Sequence, residues 1–301
     1  MRHAILGPGG VGGLVGACLA KTGAPVTLVV RQESLAPYPH QLQLESPFGN
    51  FMVPIERAAH QVPSVDVLWI TVKTTQLEAA LGAISPAALP EMIVPLENGI
   101  DHVNLLRSHF GESRIFPATI AGESERVAPG HIVHRSPFVR LNVIARARSR
   151  LETTLHQLEH IGFNCQFIED EATLLWSKLV FLAPLALTTS AAGAPKGAIV
   201  SNPHWREQLE SSLREACAVA AAEDAKVDPD AERARILKLP DAIRSSMQKD
   251  VESGKTPELD AIGGPILRGG ARHGIPVPAT RSLVSAVERK AGLRPGLNKL
   301  S

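Results

Sequence analysis

The pattern of apolar and polar positions changes character midway along the chain. In the first half, short apolar runs alternate with helix-like stretches. The run "HAILG" ends in a glycine-rich loop, and "VGGLVGACLAKTG" after it reads as a helix closed by Gly23. "PVTLVVR" is β-branched and apolar, the pattern of a buried strand. "HQLQLES" and "FMVPI" alternate on either side of Pro47, Phe48, Gly49 and Asn50, which predicts a hairpin. "VDVLWITVK" predicts a further strand, "TQLEAALGAI" a helix and "EMIVPLENG" another strand. "SRIFPAT", "GHIVHRS" and "VRLNVIA" are later strand candidates. Strands that alternate with helices imply a parallel sheet with right-handed crossovers.

From about Asp170 the strand signal fades and long helical patterns take over: Glu171 to Ala191, His204 to Ala225, Asp241 to Ser253, Glu258 to His273 and Ala279 to Ala291. The boundary falls near residues 166 to 172, just where "FNCQFIED" runs out. The expected fold is an α/β N-terminal dinucleotide-binding domain over 1–168 and an all-α C-terminal domain over 169–301. No low-complexity linker and no internal repeat separates them.

Composition fits that division. The chain has 301 residues, 44% of them hydrophobic, enough for two domains that each bury a core. Its net charge is +1, from 31 basic and 30 acidic residues, so neither nucleic acid nor an anionic membrane is an expected partner. Cys18, Cys165 and Cys217 are far apart and show no metal-ligand spacing, which disfavours disulfides and structural zinc and fits a cytoplasmic location. Arg2, His3 and the apolar run before Cys18 resemble an export signal, but Pro8 and the glycines at 7, 9, 10, 12 and 13 interrupt the helix such a signal needs. Between Glu171 and Lys196 only Lys178 is charged, yet Pro184, Gly193 and Pro195 break the run. A buried helix is expected there rather than a membrane span, which needs about 20 predominantly apolar residues.

Candidate chemistry begins at the first loop. Gly7, Gly9 and Gly12 form G-x-G-x-x-G between a strand and a helix, the context in which that motif binds a dinucleotide. The first glycine permits the turn, the second lets the backbone approach a pyrophosphate, and the third lets helix and strand pack closely. Gly10 and Val11 stand at the loop-to-helix junction, where the helix N–H groups and dipole favour phosphate. The second strand is followed by Arg31, where an NAD site usually carries an acid. A guanidinium binds a 2′-phosphate bidentately, so NADP(H) is favoured; the alternative is that Arg31 is a solvated loop residue and nearby Glu33 serves instead. Lys73 and Asn98 each follow a central strand, where ligands of open α/β sheets bind. Both residues also fit ordinary loop and turn positions.

In the helical half Lys178 lies in "LLWSKLVFLAPL", an apolar setting that suits a desolvated proton donor or, alternatively, a snorkelling lysine. Ser246 and Asp250 stand at i and i+4 on one helix face, substrate contacts or a solvated face. Thr256, Pro257 and Glu258 read as N-cap, N1 and N2 of the next helix, which would hold the Glu258 carboxylate rigidly.

Taken together, "GPGGVGG", Lys73, "ENG" at Asn98, Lys178 in a W-x-K helix, and "SSMQKD…TPELDAIGG…HGIPVPAT" resemble the ketopantoate reductase (2-dehydropantoate 2-reductase) family across nearly the whole chain. The resemblance implies a Rossmann-type domain followed by a helical substrate and dimerisation domain. It also implies NADPH-dependent reduction of ketopantoate to (R)-pantoate for pantothenate and coenzyme A synthesis. By resemblance, Lys178 is the general acid and Glu258 the substrate-anchoring carboxylate. Asn98 and Ser246 are substrate-binding, with Asp250 on the same helix face as a further substrate-binding candidate; Lys73 and Asn98 border the cofactor, and Arg31 meets the 2′-phosphate. The implied partners are a small-molecule 2-oxo acid and a second copy of the chain. One departure stands out: many family members carry asparagines four and eight residues after the lysine, and here those positions are Leu182 and Ala186. A more apolar, branched 2-oxo acid is therefore an alternative substrate, and a non-catalytic NADP(H)-sensing protein is an alternative function.

Overall fold

In the computed structural model, which describes residues 1–294 and 296, the buried runs of the first half pair as expected. Contacts divide the chain into two units. The first comprises Met1–Glu97 and His102–Glu169, the second Asn98–Asp101 and the residues from Asp170 onward.

The first unit contains strands β1 (His3–Leu6), β2 (Val26–Val29), β3 (Gln41–Glu45), β4 (Phe51–Pro54), β5 (Arg57–Ala59), β6 (Val67–Ile70), β7 (Met92–Pro95), β8 (Ala118–Ala121), β9 (Ser124–Ala128), β10 (His131–His134), β11 (Val139–Ile144) and β12 (Phe163–Ile168). Its helices are α1 (Gly10–Lys21), α2 (Gln32–Leu35), α3 (Leu77–Leu81), α4 (His102–Phe110) and α5 (Arg148–Glu159). Five strands form a sheet in the order β5-β2-β1-β6-β7, all parallel. Every residue of β1, β2, β6 and β7 is buried, which is why these strands read as continuous apolar runs rather than alternating ones.

The expected hairpin forms as β3 and β4, antiparallel with Gln41 opposite Pro54. It is part of a second sheet, β4-β3-β10-β9, while β12-β11-β8 make a third. Both are mixed, so the parallel-sheet expectation holds for the central sheet only. The expected helix "TQLEAALGAI" shortens to a 3₁₀ turn, Thr74–Gln76, followed by α3. Helix α5 joins two parallel strands and buries Leu151, Leu155 and Leu158, a helical spacing not singled out above.

The second unit is helical: α6 (Glu171–Ala192), α7 (Lys196–Ser201), α8 (Pro203–Ala222), α9 (Pro229–Leu237), α10 (Ser246–Glu252), α11 (Leu259–His273) and α12 (Pro278–Lys290). Helix α6 starts at Asp170, whose side chain accepts from the Thr173 N–H, and ends at Gly193 with φ +69°. By length and composition α6 could cross a membrane, but it is the centre of this bundle, with Leu179, Val180, Ala183 and Leu187 in the apolar core. Two of its buried threonines fit that setting because their hydroxyls bond back to the helix. Thr188 Oγ1 donates to Pro184 O at 2.7 Å and Thr189 Oγ1 to Leu185 O at 2.8 Å.

Two expected helix starts move. The helix expected from Asp241 begins at Ser246, capped by Ser245, because the preceding residues form a turn and loop. The helix expected to open at Thr256 opens at Leu259, with Glu258 as its N-cap rather than its N2 residue. Thr256 and Pro257 remain outside the helix.

Candidate active site

In the first unit the glycine turn sits between β1 and α1. Gly7 has φ +87°, and a Cβ there would press on Val72, whose backbone nitrogen would lie at 3.0 Å. A Cβ on Gly12 would meet Ile5 Cγ2 at 2.9 Å, and one on Gly10 the Glu125 nitrogen at 3.0 Å. The protein itself therefore requires these three glycines.

Gly9 is different. It is the N-cap of α1 in extended backbone, and the nearest atom to an added Cβ is Gly7 O at 3.9 Å. Among the described residues no contact demands glycine at that point, whereas close approach of a ligand to the backbone would. The first turn of α1 contains no acidic residue and no side chain caps it, which leaves the helix dipole there without a carboxylate of the helix itself. The turn is braced by Thr71, whose hydroxyl reaches Gly7 O at 2.8 Å and Leu6 O at 3.1 Å. Thr71 escaped the sequence reading because a threonine after a strand carries no motif.

The registers place the flanking candidates. Leu6 pairs with Val29 on one side and Ile70 on the other. Arg31 thus follows β2, and Lys73 follows β6, the two neighbours of β1. Arg31 is exposed, forms the N-cap of α2 and makes no ion pair among the described residues. Lys73 is half-buried and forms the N-cap of the Thr74–Gln76 turn. The set fits a dinucleotide: a glycine turn with room for a Cβ at Gly9, a helix N-terminus with no acidic residue in its own first turn, and a cation just past the second strand.

The second unit gathers the remaining candidates. Asn98 Nδ2 donates to Glu258 Oε2 at 2.8 Å, a bond spanning 160 residues of chain. Because a carboxylate only accepts, the partner atom must be the amide nitrogen, which keeps a second N–H for another acceptor. Glu258 is 7% exposed. It does not cap its helix through its side chain, so the carboxylate is turned to Asn98 and not to the α11 backbone. Lys178 lies on α6 between buried Trp176 and Leu179 and is half-buried, less enclosed than its apolar neighbours imply.

Helix α10 is held to α6 through Ser245, whose Oγ lies 2.9 Å from Thr189 Oγ1 and accepts from Gln248 N at 3.0 Å. Ser245 was not singled out, although S-x-x-Q at Ser245 and Gln248 is a capping signature. Ser246 is exposed and Asp250 half-buried, one turn apart on α10. Leu182 is half-buried, one turn beyond Lys178, whereas Ala186 is fully buried in the helical core. Of the two departures from asparagine, only Leu182 stands where a side chain keeps exposed surface.

Comparisons with known proteins follow the same two-part division. The family model "Ketopantoate reductase PanE/ApbA" matches residues 3–143, and "Ketopantoate reductase PanE/ApbA C terminal" matches 172–291. The chain is 29% identical to the 2-dehydropantoate 2-reductase of Caulobacter vibrioides over 307 residues, covering 96% of this chain and 98% of that one. Among solved structures it is similar to a PanE/ApbA family ketopantoate reductase from Ralstonia eutropha, with a TM-score of 0.85, 26% identity, and coverage of 97% and 99% of the two chains. D-mandelate dehydrogenase in ternary complex with NADH and anilino(oxo)acetate shares the fold, with a TM-score of 0.83 and 20% identity over 97% of this chain and 99% of that one. With both of its parts matched in order, and with a nucleotide-type glycine turn in the first, this chain belongs to the ketopantoate reductase family of oxidoreductases.

Proposed function

We propose that the protein is an NADPH-dependent 2-oxo acid reductase that converts ketopantoate to (R)-pantoate, the reaction named for its relative from Caulobacter vibrioides. The observation that carries the reading is the Asn98–Glu258 hydrogen bond, in the unit that also holds Lys178. An amide donor, a buried carboxylate and a cation are the groups needed to orient a hydroxylated oxo acid and to take charge from its carbonyl oxygen.

Gly9, the first turn of α1, Arg31 and Lys73 would hold the dinucleotide, which supplies the hydride when bound. As C2 of the oxo acid gains that hydride, the π pair of the C=O bond moves to oxygen. Lys178 Nζ gives this oxygen its proton, leaving an alcohol and a neutral amine that water reprotonates. The second Nδ2 N–H of Asn98 stabilises the same oxygen while charge grows on it. Glu258 anchors the substrate hydroxyl, and Ser246 and Asp250 on α10 contribute further polar contacts. Arg31 selects the 2′-phosphate because its guanidinium is exposed just past β2, where a 2′-phosphate can be bound bidentately.

Leu182 favours a second reading of the substrate alone, a more apolar branched oxo acid, since leucine offers no hydrogen bond to a hydroxyl. Steady-state assays of the wild type and Arg31→Ala, with NADPH and NADH against a panel of 2-oxo acids, test both readings. Ketopantoate with NADPH is expected to give the highest kcat/KM, and Arg31→Ala to erode the preference for NADPH. A larger kcat/KM for apolar branched acids selects the second reading. Tight NADPH binding with no turnover on any acid would falsify both.

A further inference from the structure

Asn98 stands on a four-residue strap, Asn98–Asp101, that belongs with the helical unit by its contacts. Three anchors beyond the Glu258 bond fix it. Gly99 has φ +81°, and a Cβ there would lie 3.0 Å from the Ala261 carbonyl carbon and 3.2 Å from its Cα, so the strap lies directly on the α11 backbone. Ile100 packs against the helical core. Asp101 Oδ2 accepts from Arg268 Nη2 at 2.5 Å, and Nη1 of the same guanidinium donates to Asp260 Oδ1 at 2.9 Å.

This fork joins both sides of the Asn98–Glu258 bond. Asp101 is three residues from Asn98, and Asp260 is two residues from Glu258 in the first turn of α11. Arg268 reaches back two turns along its own helix to do so, across Gly264. A Cβ on Gly264 would press on Arg268 Cζ at 2.8 Å and on the Asp260 carboxylate. A glycine inside a helix costs stability, and here the passage of the guanidinium accounts for it. Arg268 is 21% exposed, and its planar fork fits two carboxylates at once in a way an ammonium does not.

We propose that Arg268 is a positioning residue for the oxo-acid site: by bridging Asp101 and Asp260 it holds the Asn98 amide against Glu258. The inference rests on the roles given above to Asn98 and Glu258. Arg268 acts through them and touches no reacting atom. Displacing a catalytic donor by about 1 Å can cost about 10²-fold in rate, so a residue that only sets this distance has a kinetic effect.

The test uses the full-length protein with ketopantoate and NADPH, and compares Arg268→Met, Arg268→Lys, Asn98→Ala and the Asn98→Ala/Arg268→Met double variant. Arg268→Met is expected to lower kcat/KM for the oxo acid by about tenfold or more while the KM for NADPH stays unchanged, with partial recovery in Arg268→Lys. In the Asn98→Ala background the same substitution is expected to add less than about twofold, because the group it positions is already gone. The side-chain amide resonance of Asn98 should move in Arg268→Met. Fully multiplicative effects, or an unmoved amide resonance, overturn the proposal. If Asn98→Ala impairs turnover and Arg268→Met does not, the bridge alone is refuted. If Asn98→Ala leaves turnover intact, the functional reading of Asn98 falls, and the resonance still reports whether the bridge holds the amide.

Discussion

Asn98 and Glu258 are 160 residues apart in sequence and joined by a hydrogen bond of 2.8 Å. Each constrains the other: the amide presents one N–H to the carboxylate, which fixes where its other N–H points. Asn98→Ala is expected to lower kcat/KM for the oxo acid by about 10²-fold, the scale seen when a donor to a developing oxyanion is removed. Glu258→Gln keeps an acceptor for Asn98 but loses the charge and one acceptor for the substrate. Its effect should fall mainly on the KM of the oxo acid. Steady-state kinetics with NADPH saturating distinguish the two. Equal kcat and KM changes in both variants contradict the division of labour.

Lys178 carries the proton in this reading, so its loss should act on the chemical step. Lys178→Met retains the apolar stem and removes the donor. A fall in kcat of about 10²- to 10⁴-fold is expected, with NADPH affinity by fluorescence titration unchanged. Retained turnover in Lys178→Met removes Lys178 from the mechanism and leaves the family assignment untouched.

The parts of the fold that were legible are those in which local pattern and tertiary role agree. The four buried strands of the central sheet, the hairpin and helix α6 declared themselves through apolar runs and turn residues. Helix α5 was equally legible from Leu151, Leu155 and Leu158 and needed only the period to be followed. Glu258 shows the opposite case. Threonine and proline mark a helix start in isolation, but the chain stays non-helical through both and Glu258 becomes the cap, with its carboxylate bonded to a residue from a distant strap. The bridge from Arg268 to Asp101 is of the same kind: nothing within a few residues of either encodes it.

The glycine turn offers a separation of structural and ligand roles. At Gly7 an added Cβ meets Val72 and φ is +87°, so Gly7→Ala should destabilise the protein by about 1–3 kcal/mol. At Gly9 the nearest atom to an added Cβ is 3.9 Å away and φ is −80°, so Gly9→Ala should leave the melting temperature almost unchanged. The same substitution should weaken NADPH binding by about tenfold or more, equivalent to about 1.4 kcal/mol, because the methyl occupies the path of the pyrophosphate. Calorimetry and fluorescence titration on the two variants measure both quantities. Unchanged NADPH affinity in Gly9→Ala would show that the ligand does not approach the turn at Gly9.

His3 gives the stability a pH dependence of defined sign. It is 2% exposed on β1, and Trp69 Nε1 donates to its Nδ1 at 3.2 Å, so the folded imidazole is neutral with its proton on Nε2. Burial pushes its pKa down from 6.5 to about 4, the N-terminal charge adds to the effect, and Asp66 opposes it. Between those values the unfolded chain takes up a proton that the folded chain does not. Stability is therefore lost as the pH falls from about 6.5, by up to about 1.4 kcal/mol per pH unit, and the loss from this group levels off below about 4. His3→Gln keeps an acceptor for Trp69 without titrating. Unfolding free energies from urea titrations at pH 7.0, 5.5 and 4.5 should fall more steeply for the wild type than for the variant, by up to that slope. Parallel curves would mean that His3 is protonated in the folded chain, or that its burial carries no linked proton.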